Sequence, residues 1–348
     1  MDVADFDFEL PDELLAQAPP QTRGDSRLLV LPRSGAGVEH TLFSRLGEFL
    51  RPGDLLVLNN TKVFPARLLG HRVPSGGSVE CLLLAPLDGN TWDALMHPGQ
   101  KLKPGAQVLF ERDGIRLHGE VIARHFYGRR TVRLWADHGA EVADIIDQIG
   151  HVPLPPYIRR DDASSDRERY QTVYARERGS IAAPTAGLHF TGDLLDALAS
   201  HGVERAEVTL HVGYGTFQPV RASRVEDHLV DAEAYTVSAG AADTITRARR
   251  EGRRIVAVGT TTARALESLT IDDEGRIEAS SGRTQLFIHP GHEFRVVNGL
   301  ITNFHLPRSS LLMLVAALAG RERVLEAYRE AVARRYRFYS YGDAMLIL

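Results

Sequence analysis

The hydrophobic positions along this chain change their spacing twice. Residues 28–31 and, behind a leading Asp54, the stretch 54–58 are apolar runs of strand length, as expected of strands covered on both faces, and 11–17 carries the signal of a short helix. From Arg67 to about Ala136 the apolar positions alternate in short runs cut by Gly, Pro, Asp and Asn. That texture predicts strands at 67–73, 78–87, 91–97, 106–111, 115–124 and 130–136 joined by tight turns, and hence a small antiparallel barrel or sandwich. An amphipathic helix at 143–149 and an extended proline-rich connector at 151–158 follow. Helical and strand patterns then alternate. A helix over 192–200 is capped by Thr191, a strand covers 203–211, and a helix runs from a Ser238 cap through Arg250; a buried strand at 254–259 leads to a helix opening at 260–264. Residues 344–348 are apolar throughout and predict one more buried strand. The fold class is therefore α/β: a main α/β domain formed by 1–65 and 151–348, with a β-barrel inserted over 66–150.

Composition narrows the function more than the fold. A chain of 348 residues, 43% apolar, can bury a large core in two domains. Its 41 Lys and Arg against 45 Asp and Glu leave a net charge of −4, so a nucleic-acid partner would have to be met by local patches. Two such patches are candidates, Arg247, Arg249 and Arg250 with Arg253 and Arg254, and Arg334 and Arg335 with Arg337. The arginines at 159, 160, 167 and 169 alternate with Asp161, Asp162, Asp166 and Glu168, which fits a solvated face better than a phosphate site. Cys81 is the lone cysteine, excluding an intrachain disulfide and a cysteine-rich metal site. His228, Asp231 and Glu233 have no companion cluster at zinc spacing, so no metal is expected. The acidic start lacks a basic and apolar leader pattern, and the longest apolar helix-like run, 311–319, is far shorter than a bilayer span. A cytoplasmic monomer is expected.

Candidate chemistry gathers where strands end. Residues 179–191, G-S-I-A-A-P-T-A-G-L-H-F-T, are too apolar for an ordinary loop yet carry Thr185 and His189 as polar tips. Pro184 fixes the entry and Gly187 is free to take positive φ, which suits a backbone that approaches a ligand; the same residue types also build a tight turn. Asn59, Asn60 and Thr61 follow the strand at 54–58, where amide and hydroxyl groups face either a ligand crevice or a turn. Gly259 followed by Thr260, Thr261, Thr262 and Arg264 offers hydroxyls and a helix N-terminus to an anion, or merely caps the helix. His211, beside Gly213 and Gly215, and His305, beside Asn303, sit where an acid or base belongs, although either is also an ordinary structural histidine. Arg27 stands at an element boundary within reach of an anion or of solvent. Asp343 opens the last strand, placed to accept from a ribose, to orient a histidine, or to close a turn with Ser340. No P-loop and no G-x-G-x-x-G follows a strand, which argues against nucleoside triphosphate and dinucleotide binding.

The run 179–191, with L-H-V-G-Y-G-T-F-Q-P-V at 210–220, T-N-F-H-L-P at 302–307 and Y-R-F-Y-S-Y-G-D-A-M at 336–345, resembles the S-adenosylmethionine:tRNA ribosyltransferase-isomerase family of queuosine biosynthesis. The similarity extends from F-D-F-E-L-P at 6–11 through S-R-L-L at 26–29 and G-D-L-L-V-L-N-N-T-K at 53–62 to Met345. The resemblance implies an α/β domain carrying an inserted barrel. It also implies that tRNA bearing 7-aminomethyl-7-deazaguanine at the wobble position receives the ribosyl carbons of S-adenosylmethionine as an epoxycyclopentane, with release of adenine and methionine. S-adenosylmethionine is then a consumed substrate, and no cofactor is called for. The candidates taken as catalytic are His189, His211, His305 and Asp343; those taken as substrate-binding are Arg27, Asn59, Asn60, Thr61, Thr185, Gly187, Gly213, Gly215, Glu233, Thr260, Thr261, Arg264 and Asn303. One departure stands out. The family pattern resembles H-x-M-H-x-E, whereas this chain reads His228-Leu-Val-Asp-Ala-Glu233, so Val230 and Asp231 replace the Met and second His. A tRNA-binding module without catalysis and an S-adenosylmethionine-dependent methyltransferase are the competing classes. Against the first stands the density of Thr, His, Asn and Asp in glycine-bounded motifs; against the second, the lack of a glycine-rich βαβ start.

Overall fold

The computed structural model describes residues 1–35 and 37–348. In chain order, β1 (Arg27–Leu31), β2 (Glu39–Leu42), β3 (Leu55–Asn59) and β4 (Thr61–Val63) precede the strands β5 (Arg67–Val73), β6 (Ser78–Pro86), β7 (Thr91–His97), β8 (Gln107–Arg112), β9 (Ile115–Arg124) and β10 (Arg129–Ala136). After them come α1 (Val142–Ile149), α2 (Asp166–Arg169), β11 (Glu177–Ser180), α3 (Gly192–Ser200), β12 (Glu204–Leu210), β13 (Glu233–Val237) and α4 (Ala239–Arg250). The chain continues through β14 (Ile255–Val258), α5 (Thr260–Glu267), β15 (Ser280–Thr284), β16 (Gly299–Asn303), α6 (Ser310–Ala319), α7 (Arg321–Ala333) and β17 (Ala344–Ile347).

Nine strands form one mixed sheet in the order β15-β13-β12-β3-β14-β16-β17-β1-β2, and β5 to β10 close a six-stranded antiparallel barrel. Both follow from the spacing of apolar residues. The central strands are apolar without alternation because each face is covered. Leu55, Val57, Ile255, Ala257, Met345 and Ile347 pack on one face with α4 to α7, while Leu56, Leu58, Val256, Val258, Ala344 and Leu346 pack on the other with Leu195 and Leu198 of α3. The barrel strands bury alternate residues in a core of their own that α1 caps. Thr191 accepts from the Leu194 amide at 3.1 Å and Ser238 from that of Ala241 at 3.3 Å, so both expected caps form.

Topology selects one edge of the large sheet. Strands β12, β3, β14 and β16 run parallel and finish there. Strand β17 runs against β16 with Asn303 opposite Ala344, and β1 runs with β17 with Leu28 opposite Ala344, so both begin there. The chain thus brings Arg27, Asn59, His211, Gly259, Asn303 and Asp343 to a single rim, the usual ligand side of such a sheet. The barrel is tied in beside it: β4 pairs in parallel with β11 just before the barrel, and Arg67 pairs with His151 at its exit. Among the described residues no helix is long and apolar enough to cross a membrane.

Candidate active site

A recess opens at this rim between the 182–186 segment, the start of α5 and the residues after β16. Gly259 ends β14 with φ of +91°, a left-handed turn that suits glycine, and so aims the first amides of α5 into the recess beside Thr260 and Thr261. Thr185, Thr302, Asn303 and His305 line it, with Tyr170, Tyr339 and Ser340 opposite. Three lining residues keep a buried polar atom that completes no well-formed hydrogen bond in the protein: Asn303 Oδ1, His305 Nδ1 and Tyr170 Oη, the last lying beside the Ala183 amide. Leaving such atoms unpaired costs about 1–3 kcal/mol each, and three around one recess mark a place made for a polar ligand.

The three histidines divide by environment. His305 is buried, with Nε2 at 2.8 Å from Thr302 Oγ1, and desolvation pulls its pKa down to about 3. At neutral pH it is an uncharged imidazole whose buried Nδ1 has no partner in the protein. His189 lies one layer behind. Asn303 Nδ2 donates to its Nε2 at 3.2 Å, which places the ring proton on Nδ1 for donation to Ser26 Oγ at 2.9 Å. With both nitrogens bonded within the protein and burial lowering its pKa to about 4, His189 holds the Asn303 amide in place. His211 is only half-buried; Nδ1 meets Thr61 Oγ1 at 2.8 Å, and burial lowers its pKa against a smaller opposing pull from Glu177. Its ring stands so close to Gly179 that a Cβ there would lie 2.7 Å away, so Gly179 is a packing requirement of this histidine.

Several other candidates serve the scaffold. Asn59 brackets β3 to β12, its Nδ2 donating to the Leu210 carbonyl at 2.9 Å and its Oδ1 accepting from the amides of Leu210 and Thr61. The Asn60 amide, turned so that nitrogen donates to Thr209 Oγ1 at 2.7 Å and oxygen accepts from Arg176, likewise joins strands. Arg27 and Asp343 answer each other: the carboxylate accepts from the Arg27 amide at 3.0 Å, from Arg27 Nε and Nη2 at 3.1 and 2.9 Å, and from the Arg337 amide at 2.8 Å. Through these bonds Asp343 clamps β17 to β1, with Oδ2 accepting three times and Oδ1 once. Gly187 does not adopt positive φ; its missing side chain makes room for the Tyr174 hydroxyl, with which a Cβ would collide.

A second recess adjoins the first through Thr216, Thr261 and Leu311. Glu233 is buried there, accepting from the Gly213 amide at 2.9 Å and from Arg264 Nη1. Arg264 also donates from Nε to the Leu286 carbonyl at 2.8 Å, and its Nη2 remains buried and unpaired. Gly215 lies against Asp231, one of the two residues that depart from the family pattern; a Cβ there would come within 3.2 Å of the carboxylate. His228, Val230 and Asp231 all line this recess, so the departure falls inside the site.

As they stand the two recesses hold ≈ 40 and ≈ 60 Å³, while a cleft of ≈ 740 Å³ lies between barrel and main domain. Phe217 lines both the cleft and the first recess, so the two adjoin there. Tyr170, Phe217, Ser180 and Ser26 were not singled out from sequence. Tyr170 and Ser26 act across long chain separations, whereas Ser180, whose hydroxyl meets Thr61 Oγ1 at 2.8 Å, lay inside the 179–191 motif. The basic patches are spent internally: Arg247 and Arg253 pair with Glu204, Arg254 with Asp54, and Arg249 and Arg250 bind carbonyls. In the second patch Arg334 pairs with Glu330 at 3.0 Å, while Arg335 and Arg337 stand 3.8 Å from Glu13 and Asp343. Arg160 grips the buried Asp166 at 2.6 and 2.9 Å and Arg167 and Arg169 cap carbonyls, while Arg159, Arg160, Asp161, Arg167 and Glu168 stay exposed, so the segment is a solvated face pinned down by internal bonds. Among the described residues no group of three or more His, Cys, Asp or Glu is assembled that could hold a metal ion.

The chain as a whole is similar to known proteins. The family model described as queuosine biosynthesis protein matches residues 3–347. The chain is 50% identical to the S-adenosylmethionine:tRNA ribosyltransferase-isomerase of Desulfitobacterium hafniense, over 100% of both chains. Against the protein of that name from an Anaeromyxobacter species it is 54% identical, over 100% of this chain and 99% of the other. Among solved structures, the S-adenosylmethionine tRNA ribosyltransferase of Thermotoga maritima superposes with a TM-score of 0.56 at 41% identity, covering 99% of this chain and 100% of that one.

Proposed function

The chain belongs to the S-adenosylmethionine:tRNA ribosyltransferase-isomerase family of queuosine biosynthesis, and from that premise we propose that its recess and cleft form the site where S-adenosylmethionine and the wobble nucleotide of tRNA meet. The enzyme transfers and isomerises the ribosyl moiety of S-adenosylmethionine onto the aminomethyl nitrogen of 7-aminomethyl-7-deazaguanine, giving epoxyqueuosine-tRNA, adenine and methionine. S-adenosylmethionine is consumed as a substrate, and the residues supply the remaining chemistry without a cofactor or metal. The protein acts in the cytoplasm as a single chain. The observation that carries this site is the convergence of Tyr170 Oη, Asn303 Oδ1 and His305 Nδ1, unpaired, on one recess at the sheet rim.

Each open atom has a use in such a reaction. Departing adenine needs a hydrogen-bond donor, and the Tyr170 phenol, whose pKa burial pushes well above its usual range, stays protonated to serve as one. His305 is too weak a base to hold a proton at pH 7, so it positions the sugar as a neutral partner, with the Asn303 amide oxygen accepting from a ribose hydroxyl. His211, half-buried and nearest to solvent of the three histidines, is the group suited to take the acidic proton beside the sulfonium. The methionine carboxylate is matched by Arg264 Nη2 and the Thr261 hydroxyl in the adjoining recess. Ligand sites of this class occupy about 300–1,000 Å³. The cleft meets that size and the recesses alone do not, so S-adenosylmethionine spans both, across the Phe217 border.

Product analysis tests the function. With S-adenosylmethionine and tRNA carrying the aminomethyl base, in the presence of a chelator, adenine and methionine appear in equal amounts. S-adenosylhomocysteine as product would mean methyl transfer, binding without turnover would leave only an RNA-binding module, and loss of turnover with chelator would bring in a metal.

A further inference from the structure

The barrel shows one surface feature that its own packing does not explain. At the tip of the β9–β10 hairpin, Phe126 and Tyr127 stand side by side with 86% and 88% of their surface exposed. Adjacent aromatics displayed this fully are unfavourable in water and are retained where they meet a partner. Tyr127 holds a left-handed backbone, φ +54°, followed by Gly128 at +83°, a turn that keeps both rings pointing off the barrel.

The charged side chains nearest the tip are mostly cationic. Across the cleft, the Arg221 guanidinium lies 5.7 Å from the Tyr127 ring centroid. Arg124 leads into the tip, and Lys101 follows the Gly99 segment that packs against Gly128. Arg124, Arg221 and Lys101 are exposed and form no ion pair among the described residues, unlike the paired arginines of α4. Arg129 meets Asp93, the one carboxylate paired within this group, at 3.3 Å. Tyr127 and Gly128 line the same cleft as Tyr214 and Phe217, and Phe217 also lines the catalytic recess. Aromatic faces beside unpaired cations are the arrangement that binds single-stranded nucleic acid, the rings stacking on bases and the cations meeting phosphates.

We propose that Phe126 and Tyr127 form a stacking platform for unpaired nucleotides of the tRNA anticodon loop, which the inserted barrel presents so that a neighbouring nucleotide enters the cleft toward Phe217. The proposal rests on the tRNA reading above. A duplex offers no free base face, so the platform selects loop over stem.

The test measures binding of a labelled anticodon stem-loop, and of a fully paired RNA of equal length, to the full chain. Replacing both rings, Phe126→Ala with Tyr127→Ala, weakens stem-loop binding about ten-fold or more and flattens the preference over duplex. The aromatic-preserving pair Phe126→Trp with Tyr127→Phe retains both. Melting temperature stays at its parental value, as expected for exposed residues. Equal stem-loop affinity of the double-alanine and parental proteins overturns the platform alone, as does an equal loss on stem-loop and duplex. Failure of the parental protein to prefer the stem-loop overturns the tRNA reading, and the platform with it.

Discussion

Two arginines, one buried in the barrel and one mostly covered at the rim of the large sheet, show what separates a scaffold from a site. Arg130 in the barrel is among the most deeply buried side chains, and its donors go to the carbonyls of Leu102, Arg129 and Gly99. Arg264 at the rim of the large sheet is paired with Glu233 and the Leu286 carbonyl, yet leaves Nη2 buried and open. The barrel spends its cation entirely on its own backbone. The rim leaves donors and acceptors that the protein does not pair, open to a ligand or to water. The same division runs through the rim: Asn59, His189 and Asp343 are satisfied and hold geometry, whereas Tyr170, Asn303 and His305 are not.

The sharpest way to break this comparison is His305→Gln, which removes an imidazole that faces the recess. We expect kcat, followed by adenine release, to fall by about 10²-fold or more with little change in melting temperature. Parental turnover in that variant would return His305 to the scaffold. Asp343→Asn probes the opposite side. Because the carboxylate accepts from Arg27 and Arg337, losing its charge costs about 1.5–3 kcal/mol in urea unfolding while the KM for S-adenosylmethionine holds. A raised KM at unchanged stability would put Asp343 back in contact with substrate.

The smallest expected effect is a slope. His189 is held neutral, with a folded pKa of about 4 against an ordinary 6.5, so between those values the unfolded chain binds the extra proton. Its contribution is fully present above about pH 6.5 and is lost as pH falls toward 4, at up to about 1.4 kcal/mol per pH unit. His189→Asn should flatten the stability profile in that window; an unchanged slope would mean that His189 titrates normally.

Much of the fold was open to inspection because it rests on local regularities. Alternation announced all six barrel strands to within about a residue, unbroken apolar runs announced β3, β14 and β17, and Thr191 and Ser238 marked helix starts. Which strands would be neighbours was not written in any window, since β17 enters the sheet between β16 and β1 from more than 300 residues beyond β1. The site divided along the same line. Glycine-bounded motifs pointed to the rim, because close backbone approach demands particular residue types: Gly179 for the His211 ring, Gly187 for the Tyr174 hydroxyl. Whether an Asn, Asp or His within such a motif meets a ligand or a strand depends on which atoms across the chain fill its hydrogen bonds. Arg27 answers Asp343 from 316 positions away, Asn303 answers His189 from 114, and the surface arginines answer carboxylates and carbonyls. Residue type and spacing therefore determined by themselves that this chain has a polar rim on an α/β sheet and an inserted barrel. Only the tertiary structure decided which polar atoms are spent and which are left open, because hydrogen-bond satisfaction belongs to pairs of groups that the fold brings together.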